Sequence, residues 1–406
     1  MLPPTFFSNN RRALQKRLPD DSLVVMCANG LVQRSGDTTF PFRQESNFYY
    51  LTGLAEISEV VLVMEGSEEF LILPKRSEAE NIFGGVIDCD EVAKISGITT
   101  ILGYKEGWNR YKKLQKSRNK LYTLGVPPAK VTHTDAFYTN PARRFLVQKL
   151  KRIDSSVSIQ DIRTDLTVLR QIKQPEEITA IKKAITITNT GFSRARKAMV
   201  PGMSEQSLRA EFDYEFSKQG APHAYEPIVA YDEHAVVLHK IGSLNTRLQD
   251  GAWALVDAGA EYAGYSADIT RMLPLGKVPP RQREVCDAVE RVLQACINEL
   301  RPGLKFVDYA RWAQEQVGQE LVQLGLSKTA SDKKAIRHYF PHLVSHSLGL
   351  DTHDVFNYHD VVLKENMVIT VEPGIYIPEE GIGVRIEDDI LITKTGAINL
   401  SKDIPY

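Results

Sequence analysis

Short apolar runs alternate with helix-like stretches through the first part of the chain. Ser22-Leu-Val-Val-Met-Cys-Ala, Val60-Val-Leu-Val-Met and Phe70-Leu-Ile-Leu-Pro read as buried strands, and Lys120-Leu-Tyr-Thr-Leu-Gly as another. Strands interleaved with helices predict an α/β layer around a mixed or mostly parallel sheet. From Gln174 the pattern changes. Pro175-Glu-Glu-Ile opens a long amphipathic helix, with Ile178, Ile181, Ile185 and Phe192 on one face and Lys182, Lys183 and Arg194 available to the other. Pro175 suits a first helical turn, and Glu176 and Glu177 suit its positive end. The domain boundary falls between Ile159 and Gln174, giving domains of 1–165 and 166–406. Further helical patterns near 204–219, 280–300 and 305–324, with several strands among them, make the second domain α+β.

The second domain carries the chemistry. Trp253-Ala-Leu-Val-Asp257 and Tyr265-Ser-Ala-Asp268-Ile-Thr-Arg read as two strands, with Gly259 and Gly264 as turn punctuation between them. A hairpin folded near residues 262 and 263 would set Asp257 opposite Asp268, with Cβ atoms ~5 Å apart. Met367-Val-Ile-Thr-Val-Glu372 places Val368, Thr370 and Glu372 on one face of a strand. In Val384-Arg385-Ile386-Glu387 the charged pair shares a face, opposite Val384 and Ile386. His342 and His346 are four apart, but Leu343 stands where a helical zinc-peptidase motif needs Glu, which excludes that motif. His353 follows in Asp351-Thr-His353-Asp354. Taken singly, these segments also read as ordinary structure: turn-flanking aspartates, a surface Arg–Glu pair, polar residues on a loop. A carboxylate in apolar sequence must nonetheless be paired, protonated or bound to metal. Asp257, Asp268, Glu372 and Glu387 converging with His346 would carry a formal charge of −4, which two divalent cations would neutralise.

Composition narrows the alternatives. At 406 residues the chain has room for two domains with full cores. A net charge of −1 leaves no electrostatic footprint for nucleic acid, and no apolar run is long enough to span a membrane. Met1-Leu-Pro-Pro-Thr-Phe-Phe-Ser has no basic region leading into a long apolar stretch, so no secretory signal is expected. Cys27, Cys89, Cys286 and Cys296 lack CxxC spacing. A reducing, cytoplasmic setting is the expectation.

Asp257-Ala-Gly and Asp268-Ile-Thr-Arg are followed by Pro341-His-Leu-Val-Ser-His346-Ser-Leu-Gly-Leu-Asp-Thr-His353-Asp-Val, then Glu372-Pro-Gly-Ile-Tyr376 and Gly383-Val-Arg385-Ile-Glu387-Asp-Asp. In this order the set resembles the pita-bread dinuclear metallopeptidases, and within them the aminopeptidase P (Xaa-Pro aminopeptidase) branch. Arg34-Ser-Gly-Asp37-Thr-Thr-Phe-Pro-Phe-Arg43-Gln44-Glu-Ser46-Asn-Phe48-Tyr-Tyr-Leu-Thr-Gly53 is similar to the N-terminal domain of the same branch. The resemblance implies an α/β N-terminal domain ahead of an α+β pita-bread catalytic domain. It implies a metal set of Asp257 chelating one ion, Asp268 and Glu387 bridging two, and His346 with Glu372 on the second. Such an oxygen-rich set suits Mn2+, and Zn2+, Co2+ and Fe2+ also fit. The implied activity is hydrolysis of an N-terminal Xaa-Pro bond. Glu372 would carry the proton and His353 would bind the developing oxyanion. His239 and His342 would line the substrate side, Arg385 would orient Glu387 or the substrate carbonyl, and Tyr376 would give outer support. Peptides with proline in second position are the implied substrates, and a homodimer or homotetramer the implied assembly.

The chain departs from the pattern before His239, where Ile228-Val-Ala-Tyr231-Asp232-Glu233 replaces a Gly-rich turn. A prolidase, which takes only Xaa-Pro dipeptides, is the nearest alternative. Prolidases typically grip the substrate carboxylate with an arginine before the Glu-Pro-Gly strand, and Val355 to Val371 holds Lys364 but no arginine. A non-catalytic binding protein of the same fold would normally have lost metal ligands, and all five are present.

Overall fold

The apolar runs of the first part of the chain become neighbouring strands of one mixed sheet. Their order in space is Ile101–Leu102, Glu68–Ile72, Val61–Glu65, Leu23–Cys27, Lys120–Thr123 and Ser158–Asp161. Leu23–Cys27 runs antiparallel to Val61–Glu65 and parallel to Lys120–Thr123. Leu23, Val25, Val63, Phe70 and Leu121 pack beneath Trp108 and Tyr111 of the helix Tyr104–Gln115 and Leu150 of the helix Ala142–Ile153. This is the α/β layer the alternation predicts. The structure is a computed structural model that describes residues 2–116, 118, 120–125, 139–239 and 245–405. Its two compact units meet in sequence between Leu169 and Arg170.

The second unit is α+β. Its long helices are Pro175–Ala198, Glu205–Lys218, Pro280–Glu299 and Phe306–Gln323. In the first of these the expected face is buried at Ile181, Ile185 and Phe192, with Lys182 and Lys183 exposed, and the helix start alone departs from it. Ile178 is only half-buried, while Glu177 is buried. The cause is local bonding: Glu177 accepts from the N–H of Gln174 at 2.8 Å and from the Tyr265 hydroxyl at 2.9 Å, which draws it under the helix start.

Trp253–Ala258 is the middle strand of a three-stranded antiparallel sheet, between Ile228–Tyr231 and Ile269–Pro274. A second sheet joins Val368–Val371, Asp388–Ile392 and Ala397–Asn399, and a hairpin pairs Gly374–Ile377 with Ile382–Arg385. The two sheets touch where the Glu387 N–H donates to the Thr270 carbonyl at 3.1 Å. That contact brings the two acidic strand pairs together. No helix among the described residues is long and apolar enough to cross a membrane.

Candidate metal centre

The hairpin that carries the aspartates has a different register from the one expected. Asp257 pairs with Thr270 and Ala258 with Ile269, so Asp268 lies past the end of the ladder, level with Gly259. The turn sits at Ala263 and Gly264, both left-handed with φ of 50° and 81°, and not at 262–263. The slip is an even number of residues, which keeps the side chains on the same face. Asp257 and Asp268 are thus diagonal and not opposed, and Thr270 takes the place beside Asp257. Gly259 is needed here, because a Cβ on it would stand 1.8 Å from the Ala267 carbonyl oxygen.

His346 lies on an irregular segment, as the sequence reading requires, and Thr370 beside it fixes its backbone. The Thr370 N–H donates to the His346 carbonyl at 2.9 Å, and the His346 N–H to the Thr370 hydroxyl at 3.2 Å. Its Nδ1 contacts the Ser347 carbonyl at 3.1 Å, so Nδ1 carries the proton and Nε2 is the nitrogen left for a metal. Nε2 stands 3.3 Å from Asp268, 3.5 Å from Glu372 and 3.9 Å from Glu387. Ligand atoms of Asp268, His346 and Glu387 all lie within 4.8 Å of one another, and all three residues are buried. Glu372 follows directly on the strand Val368–Val371, and its N–H is held by the Val344 carbonyl at 2.8 Å.

Asp257 has a different set of partners. One of its oxygens accepts from the Tyr225 hydroxyl at 2.5 Å and the other from Arg385 at 2.6 Å. Arg385 therefore bonds Asp257 directly, and reaches Glu387 only through Thr270. Its Nε donates to the Thr270 hydroxyl at 3.1 Å, and that hydroxyl donates to Glu387 at 2.7 Å. The surface-pair reading of Arg385 and Glu387 fails, since the two are 3% and 2% exposed. Tyr225 and Thr270 were not picked out by sequence reasoning. Thr270 had a signal, lying two residues from Asp268 and so on its face. Tyr225 had none.

The electrostatics are those of crowded anions. Burial, followed by the charges of Asp268, Glu372 and Asp257, holds Glu387 well above the usual carboxylate range. Burial also lifts Glu372 to about 7, against the pull of His346 and Arg385. Asp257 is raised by burial, with Arg385 opposing. Burial acts to lower His346, but the hydrogen bond it donates to Asp268 and the charges of Glu372 and Asp268 outweigh it and raise it to about 9. Protons thus stand in for positive charge. A hard, oxygen-rich set around one imidazole, with its anions short of cations, fits a pair of divalent ions.

Three more histidines surround the cluster. The His353 ring is 4.2 Å from that of His346, and burial and the His346 charge lower its pKa. His342 is pushed down to about 3, by burial first and then by Arg385. Its Nδ1 contacts the Leu343 carbonyl at 2.8 Å, so the proton sits there, and Nε2 accepts from the Tyr376 hydroxyl at 3.0 Å. Tyr376 in turn accepts from Arg385 at 3.1 Å. His239 is exposed, and its charge acts on both His342 and His353.

The departure at Tyr231-Asp232 is accommodated locally. Asp232 takes a left-handed backbone, φ 46°, the conformation a glycine would supply, and accepts from the Trp253 N–H at 3.1 Å. Tyr231 is fully buried, its N–H donating to Glu205 and its hydroxyl to the Ser204 carbonyl.

Residues 179–394 match the pattern described as Metallopeptidase family M24, and residues 7–122 that of the Aminopeptidase P, N-terminal domain. The chain is 33% identical to the Xaa-Pro aminopeptidase of Escherichia coli strain K12, over 98% of this chain and 94% of that protein. It is 29% identical to human Xaa-Pro aminopeptidase 3, over 95% of this chain and 79% of that protein. A solved structure of E. coli aminopeptidase P with the inhibitor Pro-Leu superposes with a TM-score of 0.88 at 31% identity, covering 100% of this chain and 96% of that one.

Proposed function

Because this chain belongs to metallopeptidase family M24, with an aminopeptidase P N-terminal domain ahead of a pita-bread catalytic domain, we propose that it releases the first residue from peptides whose second residue is proline. The observation that carries the reading is His346 Nε2 facing Asp268, Glu372 and Glu387 at 3.3–3.9 Å. Asp257, Asp268, His346, Glu372 and Glu387 would together hold the two ions. Mn2+ is the metal this donor set favours. When bound, the pair supplies Lewis acidity that polarises the scissile carbonyl and acidifies water.

The chain's own groups do the rest. Glu372 accepts the proton from the attacking water and passes it to the leaving proline nitrogen. His353, at the rim beside His346, donates to the carbonyl oxygen as charge develops on it. His342 has both ring nitrogens engaged, so it offers a fixed ring edge against which a proline ring can pack. Phe340 backs it, ring centroids 4.7 Å apart. His239 lines the substrate side, and Arg385 with Tyr225 fixes the Asp257 carboxylate. Proline requires a dedicated site because its nitrogen carries no hydrogen and its φ is locked.

The absence of an arginine between Val355 and Val371 favours the aminopeptidase over the dipeptidase. A homo-oligomer is favoured by the helix Glu78–Gly84, which exposes Ile82 and Phe83, with Val86 just beyond it exposed as well. Four cysteines free of disulfides suit a cytoplasmic protein. Product analysis decides the activity. With Mn2+ added, Xaa-Pro-Yaa-Zaa should be cleaved after Xaa, and Xaa-Ala-Yaa-Zaa poorly or not at all. Hydrolysis confined to the free Xaa-Pro dipeptide would replace this reading with a prolidase.

A further inference from the structure

Away from the carboxylate cluster, two cations are buried against one anion. Arg170 is 1% exposed and donates to Asp354 at 2.5 Å and to Asp351 at 2.8 Å. Lys173, also 1% exposed, donates to the other Asp354 oxygen at 3.2 Å and lies 3.4 Å from the Ser347 hydroxyl. The Lys173 N–H is fixed in turn by the Asn366 carbonyl at 2.8 Å. Burying such groups is expensive, and an apolar cluster would hold the fold as well. What the ions hold in place is a loop. Asp354 closes the segment from His346 onward, its N–H donating to the Ser347 carbonyl at 2.8 Å. The same carbonyl receives Nδ1–H of His346. The loop is so tight that a Cβ on Gly349 would stand 2.1 Å from the Asp354 carboxylate and 3.1 Å from the Lys173 side chain.

We infer that Lys173 and Arg170 are positioning residues of the metal centre: they clamp Asp354, and the loop so closed turns His346 Nε2 toward the metals and sets His353 beside it. The inference rests on the two-metal reading above. Asp354 links the clamp to the site, since its backbone shares the Ser347 carbonyl with the His346 imidazole while its side chain is held by both cations. Lys173 is the residue to change, because Arg170 remains to neutralise Asp354 when it is lost.

The test is calorimetric titration of chelator-treated Lys173→Met with Mn2+, alongside the visible absorption spectrum of its Co2+ form. The Mn2+ dissociation constant should rise roughly tenfold or more, as expected when a hydrogen-bonded support behind a metal ligand is lost. The Co2+ bands should shift, and kcat should fall more than KM rises. A lower melting temperature with an unchanged dissociation constant and unchanged Co2+ bands would show a purely structural role and overturn the inference. If Lys173→Met does not fold, Lys173→Gln, which keeps a donor to Asp354 without the charge, is judged by the same two measurements. Failure of the unaltered protein to bind Mn2+ would instead remove the two-metal reading, and the inference with it.

Discussion

Loading the metal centre should expel protons, and their number follows from the metal-free site. At about pH 7, His346, raised to about 9, holds one proton. Glu387 is lifted well above its ordinary range by burial and three neighbouring carboxylates, so it adds to the protons displaced. Glu372, raised to about 7, holds about half of one. Metal ligands must be deprotonated, so His346 and Glu372 alone should release roughly one to two protons as both ions bind, Glu387 adds to that number, and acidified water adds up to one more. The sign is fixed: protons compete with metal, so affinity rises with pH and is lost on acidification. The assay is calorimetric titration of the chelator-treated protein with Mn2+ in buffers of different ionisation enthalpy. The slope of observed heat against buffer enthalpy counts the protons. A slope below one proton at neutral pH would mean that the carboxylates are already ionised without metal, or that they are not the ligands. Either outcome refutes the picture of protons standing in for cations.

Thr270→Val keeps shape but removes the hydroxyl that donates to Glu387 and accepts from Arg385. In chelator-treated protein it should cost about 2–4 kcal/mol in urea unfolding, and a loss below about 0.5 kcal/mol would show that both partners find other bonds. Glu177 is raised to about 7 mainly by burial, so the folded state binds more protons than the unfolded state between the ordinary carboxylate pKa and about 7. Stability therefore falls as pH rises across that window, by up to about 3 kcal/mol, and levels off above it. Unfolding of Glu177→Gln at several pH values should show its stability relative to the unaltered protein climbing across the same window, and a pH-independent difference would assign the slope elsewhere.

Much of the architecture was legible because local rules and the final fold agree. Pro175, the acidic first turn and a spaced apolar face specify the helix Pro175–Ala198, and the strands Leu23–Cys27 and Trp253–Ala258 are apolar runs too short for helices. The four carboxylates of the cluster stood out because a carboxylate in apolar strand sequence must be paired, protonated or bound to metal. Register was misread because it depends on which two residues make the turn. Moving the turn to Ala263-Gly264 makes Thr270 the partner of Asp257. The face survived because strand side chains alternate with a period of two, and the shift was even.

Tertiary structure alone decided the partners. Nothing in the order of residues announces that Tyr225 caps Asp257, that Arg385 bonds Asp257 in preference to its near neighbour Glu387, or that Lys173 finds Asp354 across 181 positions. The sequence by itself determined which residue types must be neutralised and, through periodicity, which faces they occupy. Which group neutralises which is set by distances of a few ångströms between segments far apart in the chain. Hydrogen bonds and ion pairs are short-ranged, so their pairing exists only once the packed sheets and loops have fixed those distances.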